Sequence, residues 1–173
     1  YLNERMGRLM HISGENENAG SYLKKALYLY TELQDYRSKG TVYNIMGDSY
    51  FDQKKFKDAV DMYQQAYFEH DILKDDLAKT RDLMEIGAAW CAFGNFEDAL
   101  KSFNQALAIA KAKKLDDLLS KINDNIKVVN SNMKVGQSVQ KTLFQELNEQ
   151  KEKEHMKDME QKNVQYKTEQ VKT

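Results

Sequence analysis

The chain has 173 residues, of which 41% are hydrophobic and 31% are charged, a composition that suits a soluble protein with a hydrophobic core. Because 26 basic residues balance 27 acidic ones, no overall field favours nucleic acid or an anionic membrane, and no apolar run approaches the ~18 residues that a membrane span needs. The chain has no proline and one cysteine, Cys91, so a β-rich fold with many tight turns is disfavoured and an internal disulfide is excluded.

The first helix is predicted at the very start of the chain, where apolar residues already recur at helical spacing at Leu2, Met6, Leu9 and Met10. The chain opens inside this pattern with Tyr1 and has no signal peptide there. We therefore expect it to be a piece of a longer polypeptide or a part of a larger complex.

A period of 40 residues runs through the first two thirds of the chain. Gly7, Gly47 and Gly87 are each 40 residues apart. The other sets with this offset are Ala19, Ala59 and Ala99; Ala26, Ala66 and Ala106; Met10, Tyr50 and Trp90; Leu23, Tyr63 and Phe103; and Met6, Met46 and Ile86. Because so many sets in one phase do not arise by chance, we expect repeats over about residues 1–35, 36–75 and 76–115.

Each unit is predicted to contain two helices joined by a tight turn. In the third unit the apolar faces of the two helices are formed by Leu83, Ile86, Gly87 and Trp90, and by Phe96, Ala99, Phe103, Ala106 and Leu107. Gly94 and Asn95 between them are a turn signal, and Gly14 and Lys54 occupy the matching place in the earlier units.

The small residues in phase predict close contact between paired helices. A glycine inside a helix costs about 1 kcal/mol relative to alanine, so three glycines in one phase indicate that close packing compensates for this cost. We expect larger side chains, among them Tyr50, Trp90 and Phe103, to fill the space around the glycine and alanine positions and to belong to the core.

These residues resemble the tetratricopeptide repeat, in which Leu-Gly and an aromatic residue on one helix precede Ala-x3-Phe-x2-Ala on the next. The resemblance covers about residues 1–133 and implies an all-α fold, an α-solenoid of antiparallel helix pairs that forms a superhelix. The usual repeat has 34 residues and a proline near its end. The longer period and the missing proline here are similar to the repeats of kinesin light chains, of G-protein signalling modulators and of bacterial tetratricopeptide regulators.

The resemblance also implies a concave groove, lined by first-helix residues, that binds a peptide or helix of a partner protein. On this register the groove residues are Glu4, Arg8, His11, Thr41, Asn44, Asp48, Phe51, Arg81, Met84, Ala88 and Cys91. Asn44 matches an asparagine that bonds a peptide backbone in several long-repeat relatives, and the alternative is a merely solvated side chain. Arg8, Asp48 and Ala88 follow the glycines and do not match the family's clamp for chaperone tails, so that ligand is not expected.

A capping helix is predicted over residues 116–133. Its apolar face is formed by Leu119, Ile122, Ile126, Val129 and Met133. Lys127 and Asn130 replace the glycine and the large residue, which gives the polar outer face of a terminal helix. After the interruption at residues 134–136, residues 138–173 are predicted to be a charged helix or tail, whose first turns could pack as one more second helix. Beyond Gln150 a coiled coil, a single helix and disorder all stay open.

Catalytic and metal-binding motifs are absent from the sequence. It has no phosphate loop, dinucleotide-binding glycine pattern, paired-cysteine motif or His-Glu-x-x-His. The histidines, which lack metal-ligand spacing, are His11, His70 and His155. We interpret the acidic pairs at residues 75–76 and 116–117 as helix caps, and Cys91 as a small groove residue in preference to a reactive thiol. No enzyme activity, metal or cofactor is expected.

The leading hypothesis is a cytoplasmic, non-enzymatic scaffold or adaptor that binds a partner peptide or helical segment, with no nucleic-acid partner and no membrane insertion. A second hypothesis is an architectural component of a cytoskeletal or ciliary assembly that docks through the repeats and the C-terminal helix. A third is the sensory segment of a bacterial regulator whose enzyme domain lies elsewhere in the parent protein.

Overall fold

The computed structural model describes the backbone of residues 2–12 and 16–170, and the side chains of residues 2–9, 11, 19–154 and 157. Within these residues the chain forms α-helices and no strand, so the all-α prediction is confirmed. The helices are α1 Leu2–Ile12, α2 Asn16–Glu32, α3 Tyr36–Asp52, α4 Phe56–Ile72, α5 Asp76–Phe93, α6 Phe96–Lys113 and α7 Asp116–Gln170. The turn predicted at Gly14 lies outside the described residues. A division after Asn130 separates the chain into two compact units.

In the first unit, consecutive helices pack against one another as adjacent pairs. α1 packs on α2, α3 on α4 and α5 on α6, while α2 also contacts α3 and α4 contacts α5, which joins each pair to the next. The helices α3 and α5 begin at Tyr36 and Asp76, and α4 and α6 begin at Phe56 and Phe96, so both offsets are 40 residues. The predicted α-solenoid is therefore confirmed.

One type of turn joins the helices from α2 to α7. Each of the helices α2 to α6 is followed by a residue in the left-handed backbone region. These residues are Gln34, Lys54, Lys74, Gly94 and Lys114. In every turn the N–H of the following residue donates to the carbonyl five residues before it, which satisfies a carbonyl at the helix end. The turn thus recurs every 20 residues, although glycine occupies it only at residue 94.

The glycine positions lie against large side chains of the paired helix. A Cβ atom added to Gly47 would lie 2.5 Å from the ring of Tyr63, and one added to Gly87 would lie 2.8 Å from the ring of Phe103. At Gly7 the neighbour is Leu23, at 2.7 Å. The alanines of the repeat are buried, namely Ala19, Ala26, Ala59, Ala66, Ala99 and Ala106. The two helices of each pair therefore approach each other most closely at a glycine, whose side chain is only a hydrogen atom.

The last helix of the first unit is the beginning of α7, whose residues Leu118, Ile122 and Val129 are buried. The interruption of the apolar pattern at residues 134–136 does not interrupt the helix, which continues to Gln170. The expectation of a further second helix after residue 138 was therefore wrong. Gly136 alone costs a helix about 1 kcal/mol, and without proline or a capping residue this is too little to end it.

In the second unit, which begins at Ser131, the backbone is helical through Gln170. Among its described side chains, every one except Met133 is exposed.

Candidate functional site

The first helices of successive pairs are linked side by side. His11 on α1 lies 3.6 Å from the carboxylate of Asp52 on α3, and the Asn44 amide on α3 donates to Asp82 on α5 over 2.9 Å. The surface formed by α1, α3 and α5 is called the A-helix face below. It contains the predicted groove residues Glu4, Arg8, His11, Thr41, Asn44, Asp48, Phe51, Arg81, Met84, Ala88 and Cys91. Arg8, Asp48 and Arg81 are exposed, and the other members are half-buried.

Asn44, which was predicted to bond the backbone of a bound peptide, belongs to a buried polar network within the chain. Asp82 accepts from the Asn44 amide with one carboxylate oxygen and lies 2.6 Å from Nδ1 of His70 on α4 with the other. Gly40 on α3 lies against the His70 ring, where a larger residue would leave no room. Asp82 on α5 thus links Asn44 on α3 to His70 on α4, so the network joins three helices, while the Oδ1 atom of Asn44 is buried without a partner.

Carboxylates crowd the A-helix face between α3 and α5. Partial desolvation, followed by the charges of Asp48 and Asp82, raises the pKa of Glu85 above its usual range. Burial, and next the charge of Asp48, raises the pKa of Tyr63, whose hydroxyl donates to Asp48 over 2.8 Å. Asp52 adds to the same effect on Tyr63. These four carboxylates, Asp48, Asp52, Asp82 and Glu85, act on Glu85 or on Tyr63 and are called the carboxylate cluster below.

Asp52 and Glu85 were not predicted as parts of this surface, nor was Asp82, which is buried beneath it. A signal was present, because Asp48 and Asp52 are four residues apart on one helix, and Asp82 and Glu85 are three apart on another. Like charges at these spacings lie on one helix face and destabilise a helix.

A second concave feature is formed mainly by second helices, together with one side of α5. It is a cleft of about 710 Å³ between α4, α5 and α6, called the B-helix cleft below. Its apolar lining consists of Tyr67, Phe68, Leu83, Ile86, Trp90, Ala108 and Ile109, and its polar lining of Gln64, Asp98, Lys101, Ser102 and Gln105. Trp90, which was expected in the core, is half-buried here, with its ring edge-to-face on Phe93. A smaller cleft of about 430 Å³ lies between α2 and α3 and includes Tyr50, one repeat before Trp90.

The acidic pair at the start of α5 has structural partners. The Asp75 side chain accepts from the backbone N–H of Ala78 over 3.1 Å, and this bond, together with the charge of Arg37, holds the pKa of Asp75 below its usual range. Asp76 lies 2.7 Å from Nζ of Lys113, which lowers the pKa of that carboxyl too. The geometry is that of a capped helix start, as the sequence analysis interpreted it.

Among the described residues, no group of three or more His, Cys, Asp or Glu residues is arranged to hold a metal ion. Across the same residues, none of the helices combines the length and the apolarity that crossing a bilayer requires. The side chain of His155 lies outside the described residues.

Comparison with known proteins gives matches of sequence and of fold. Residues 1–67 match the tetratricopeptide repeat family model. The N-terminal domain of stress-induced protein-1 from C. elegans is similar in structure, with a TM-score of 0.56 and 20% identity over 70% of this chain and 92% of that one. Aspartyl phosphate phosphatase F from Bacillus subtilis has a TM-score of 0.61 and 18% identity over 79% of this chain, which spans 40% of the phosphatase. No curated protein matches the chain in sequence. At these identities the structural likeness concerns the fold alone.

Proposed function

We propose that this chain, whose residues 1–67 match the tetratricopeptide repeat family model, is a scaffold whose A-helix face binds a basic segment of a partner protein. The tetratricopeptide repeat fold generally mediates protein–protein interaction. The finer parts of the proposal are the surface and the chemistry of the partner. Both rest on the charges of α3 and α5.

The carboxylate cluster is the observation that carries the proposal. Within the described residues, no basic side chain forms an ion pair with Asp48 or Glu85. Desolvation is the largest cause of the raised pKa of Glu85, and the charges of Asp48 and Asp82 add to it by opposing the negative charge of Glu85. A lysine or arginine of a partner placed between Asp48 and Glu85 would relieve this repulsion, so the same charges that destabilise the free face favour a basic ligand.

Apolar side chains on the same face would contact the aliphatic parts of the bound segment. Phe51 and Met84 are half-buried and belong to α3 and α5, the helices that carry the carboxylate cluster. The ring of Phe51 is held edge-to-face on Phe56, with centroids 5.3 Å apart. A partner with basic and apolar residues in one short segment fits this combination, because long basic side chains pack their stems on apolar surface.

Charge reversal on each face of the first unit tests the proposal. Glu85→Lys on α5 and Asp61→Lys on α4 change the net charge by the same amount, and Asp61 is exposed on a second helix. The probe is a fluorescein-labelled peptide of alternating lysine and alanine, with a glutamate–alanine peptide as its acidic counterpart, and binding is measured by fluorescence anisotropy. We expect the natural chain to prefer the basic peptide, and Glu85→Lys to weaken its binding about tenfold or more.

Asp61→Lys is expected to leave the affinity for the basic peptide within about twofold, because Asp61 is exposed on α4, outside the A-helix face, and salt screens exposed charges. Circular dichroism checks that both variants keep their helices. Equal losses in the two variants would mean that only net charge matters, and the proposed site would be rejected. An absence of preference for the basic peptide would reject it as well.

The second candidate function is the architectural one, in which the chain is a component of a cytoskeletal or ciliary assembly. The observation that favours it is α7, a helix of 55 residues whose described side chains after Met133 are all exposed. Deletion of residues 150–173 separates the two candidates. It should leave binding of the basic peptide unchanged, whereas docking through the C-terminal helix would be lost.

A further inference from the structure

The second unit carries an exposed apolar ridge that the proposed function does not use. Val135, Val139, Leu143 and Leu147 follow one another at intervals of four residues on α7, and Phe144 adjoins them. All five are exposed, from 50% at Leu147 to 65% at Phe144. Residues four apart lie on one ridge of a helix, so these side chains form one continuous surface. This set is called the α7 ridge below.

The α7 ridge is large for a surface that remains in water. At these exposures its five side chains offer on the order of 500 Å² of apolar area, near the upper end of what a monomer exposes in one patch. Pairing two such surfaces would bury on the order of 1,000 Å², which reaches the lower limit for a specific protein interface. The ridges of two copies together thus bury enough apolar area for a specific interface.

We propose that the α7 ridge is a self-association surface, on which the α7 helices of two copies of this chain pack against each other in antiparallel orientation, crossing near Leu143. Ridges with four-residue spacing fit into each other's grooves, and helices that pack in this way cross at an angle of about 50°. The contact is therefore local to a few turns. A long coiled coil would need apolar residues at heptad positions, and beyond Leu147 the described residues up to Glu154 are all polar.

The charges on either side of the ridge decide the orientation. Residues 131–145 contain Lys134 and Lys141 and no acidic residue, a net charge of +2. Residues 146–154 contain four glutamates and two lysines, a net charge of −2. Antiparallel packing around Leu143 brings the positive half of one helix beside the negative half of the other, whereas parallel packing brings like charges together. A second copy of the same helix is thus complementary in charge as well as in shape.

Two variants of the full chain, two residues apart, test for self-association. Leu143→Glu adds a negative charge on the ridge, and Gln145→Glu adds the same charge about 200° away around the helix. Sedimentation velocity over a range of micromolar concentrations measures the dimerisation constant. We expect the natural chain to dimerise, Leu143→Glu to weaken dimerisation at least about tenfold, and Gln145→Glu to change it less than about twofold. A monomeric natural chain, or equal effects of the two substitutions, would overturn the proposal.

The orientation is tested with a spin label at residue 153, in a Cys91→Ser chain that carries Lys153→Cys. In the antiparallel pair the two labels are separated along the helices by twice ten residues, about 30 Å. In a parallel pair that crosses at the same angle they lie closer together, at roughly 15 Å. Pulsed dipolar spectroscopy on the dimer should give the long distance. The short distance would mean parallel packing and would overturn the proposal.

Discussion

Nδ1 of His70 and a carboxylate oxygen of Asp82 lie 2.6 Å apart, and both side chains are buried, with 7% and 1% of their surface exposed. His70 is near the end of α4 in the second repeat, and Asp82 is in α5 of the third. Asn44 from α3 donates to the second oxygen of Asp82. Since a buried polar group without a partner is costly, this network fixes how the second repeat meets the third and holds α3 beside α5.

Removal of Asp82 should therefore destabilise the first unit strongly. Asp82→Ala leaves the imidazole of His70 and the amide of Asn44 buried without their acceptor, and we expect the free energy of unfolding to fall by about 3–5 kcal/mol. Urea denaturation followed by circular dichroism measures it. A double-mutant cycle with His70→Ala should give a coupling energy above about 1 kcal/mol. Additive effects of the two substitutions would show that the contact contributes nothing specific.

Alanine substitution should distinguish the glycines that close a helix pair from one that does not. The Cβ atom of Gly47→Ala would meet the Tyr63 ring at 2.5 Å, whereas nothing lies within 4 Å of the corresponding position at Gly20 on α2. Thermal unfolding should show that Gly47→Ala lowers the stability by about 1–3 kcal/mol through overpacking. Gly20→Ala should raise it by up to about 1 kcal/mol through helix propensity. A stabilising Gly47→Ala would contradict the close approach.

The recurring turn offers a stabilising substitution. Lys54, in the turn that follows α3, has a φ of 60°, a left-handed conformation that costs an L-residue about 1–2 kcal/mol and costs glycine nothing. We expect Lys54→Gly to raise the midpoint of thermal unfolding, because this relief exceeds the entropy that glycine gains in the unfolded chain. Lys101→Gly, at an exposed position inside α6, should lower it by about 1 kcal/mol. Loss of stability in both variants would argue against the left-handed turn.

The pKa of Glu85 predicts a pH-dependent effect. Because this pKa is raised in the folded chain, protonation favours folding, and the contribution is fully present below the unfolded pKa near 4.5 and lost as pH rises through the folded value. Glu85→Gln imitates the protonated form. It should therefore be more stable than the natural chain at pH 7 and equal to it below about pH 4. Asp61→Asn is the control, and its stability should not differ from that of the natural chain at pH 7.

Denaturation of both variants across this pH range provides the measurement. Glu85→Gln should also bind the basic peptide more weakly, since the charge that opposes folding is the one that attracts the ligand. A variant that loses stability at pH 7 would mean that the Glu85 carboxylate has a favourable partner in the folded chain. The repulsion within the carboxylate cluster would then not exist.

The periodic features of this chain could be predicted from its sequence, and the features that depend on one particular contact could not. Gly47 and Gly87 predict the helix pairs, because a glycine that recurs in a fixed phase inside helices indicates a close contact at that point. Trp90 was expected in the core, since its position in the repeat is apolar, but burial there depends on the helix that follows, and the B-helix cleft leaves the ring half-buried. The position of a residue in the repeat predicts the helix face on which it lies, but not how deeply its side chain is buried.

The site was harder to predict than the fold for the same reason. Asn44 was placed on the correct helix, but its partner Asp82 is 38 residues away, and nothing local to either residue predicts that bond. The break in the apolar pattern at residues 134–136 predicted a boundary between the capping helix and the charged C-terminal segment, where the structure has one continuous helix. The apolar pattern indicates which side of a helix packs against other helices, but it does not indicate where the helix ends. The helix α7 continues beyond its last buried residue.

Chemical-shift mapping tests the central claim most directly, because it locates the ligand on the surface. With the uniformly ¹⁵N-labelled chain and the lysine–alanine peptide, we predict that the largest amide shift changes occur on α3 and α5 around Asp48 and Glu85. Amides around Tyr67 and Ile109, beside the B-helix cleft, should remain unchanged. Shift changes centred on that cleft, or spread evenly over every acidic residue of the chain, would contradict the assignment of the A-helix face as the binding surface.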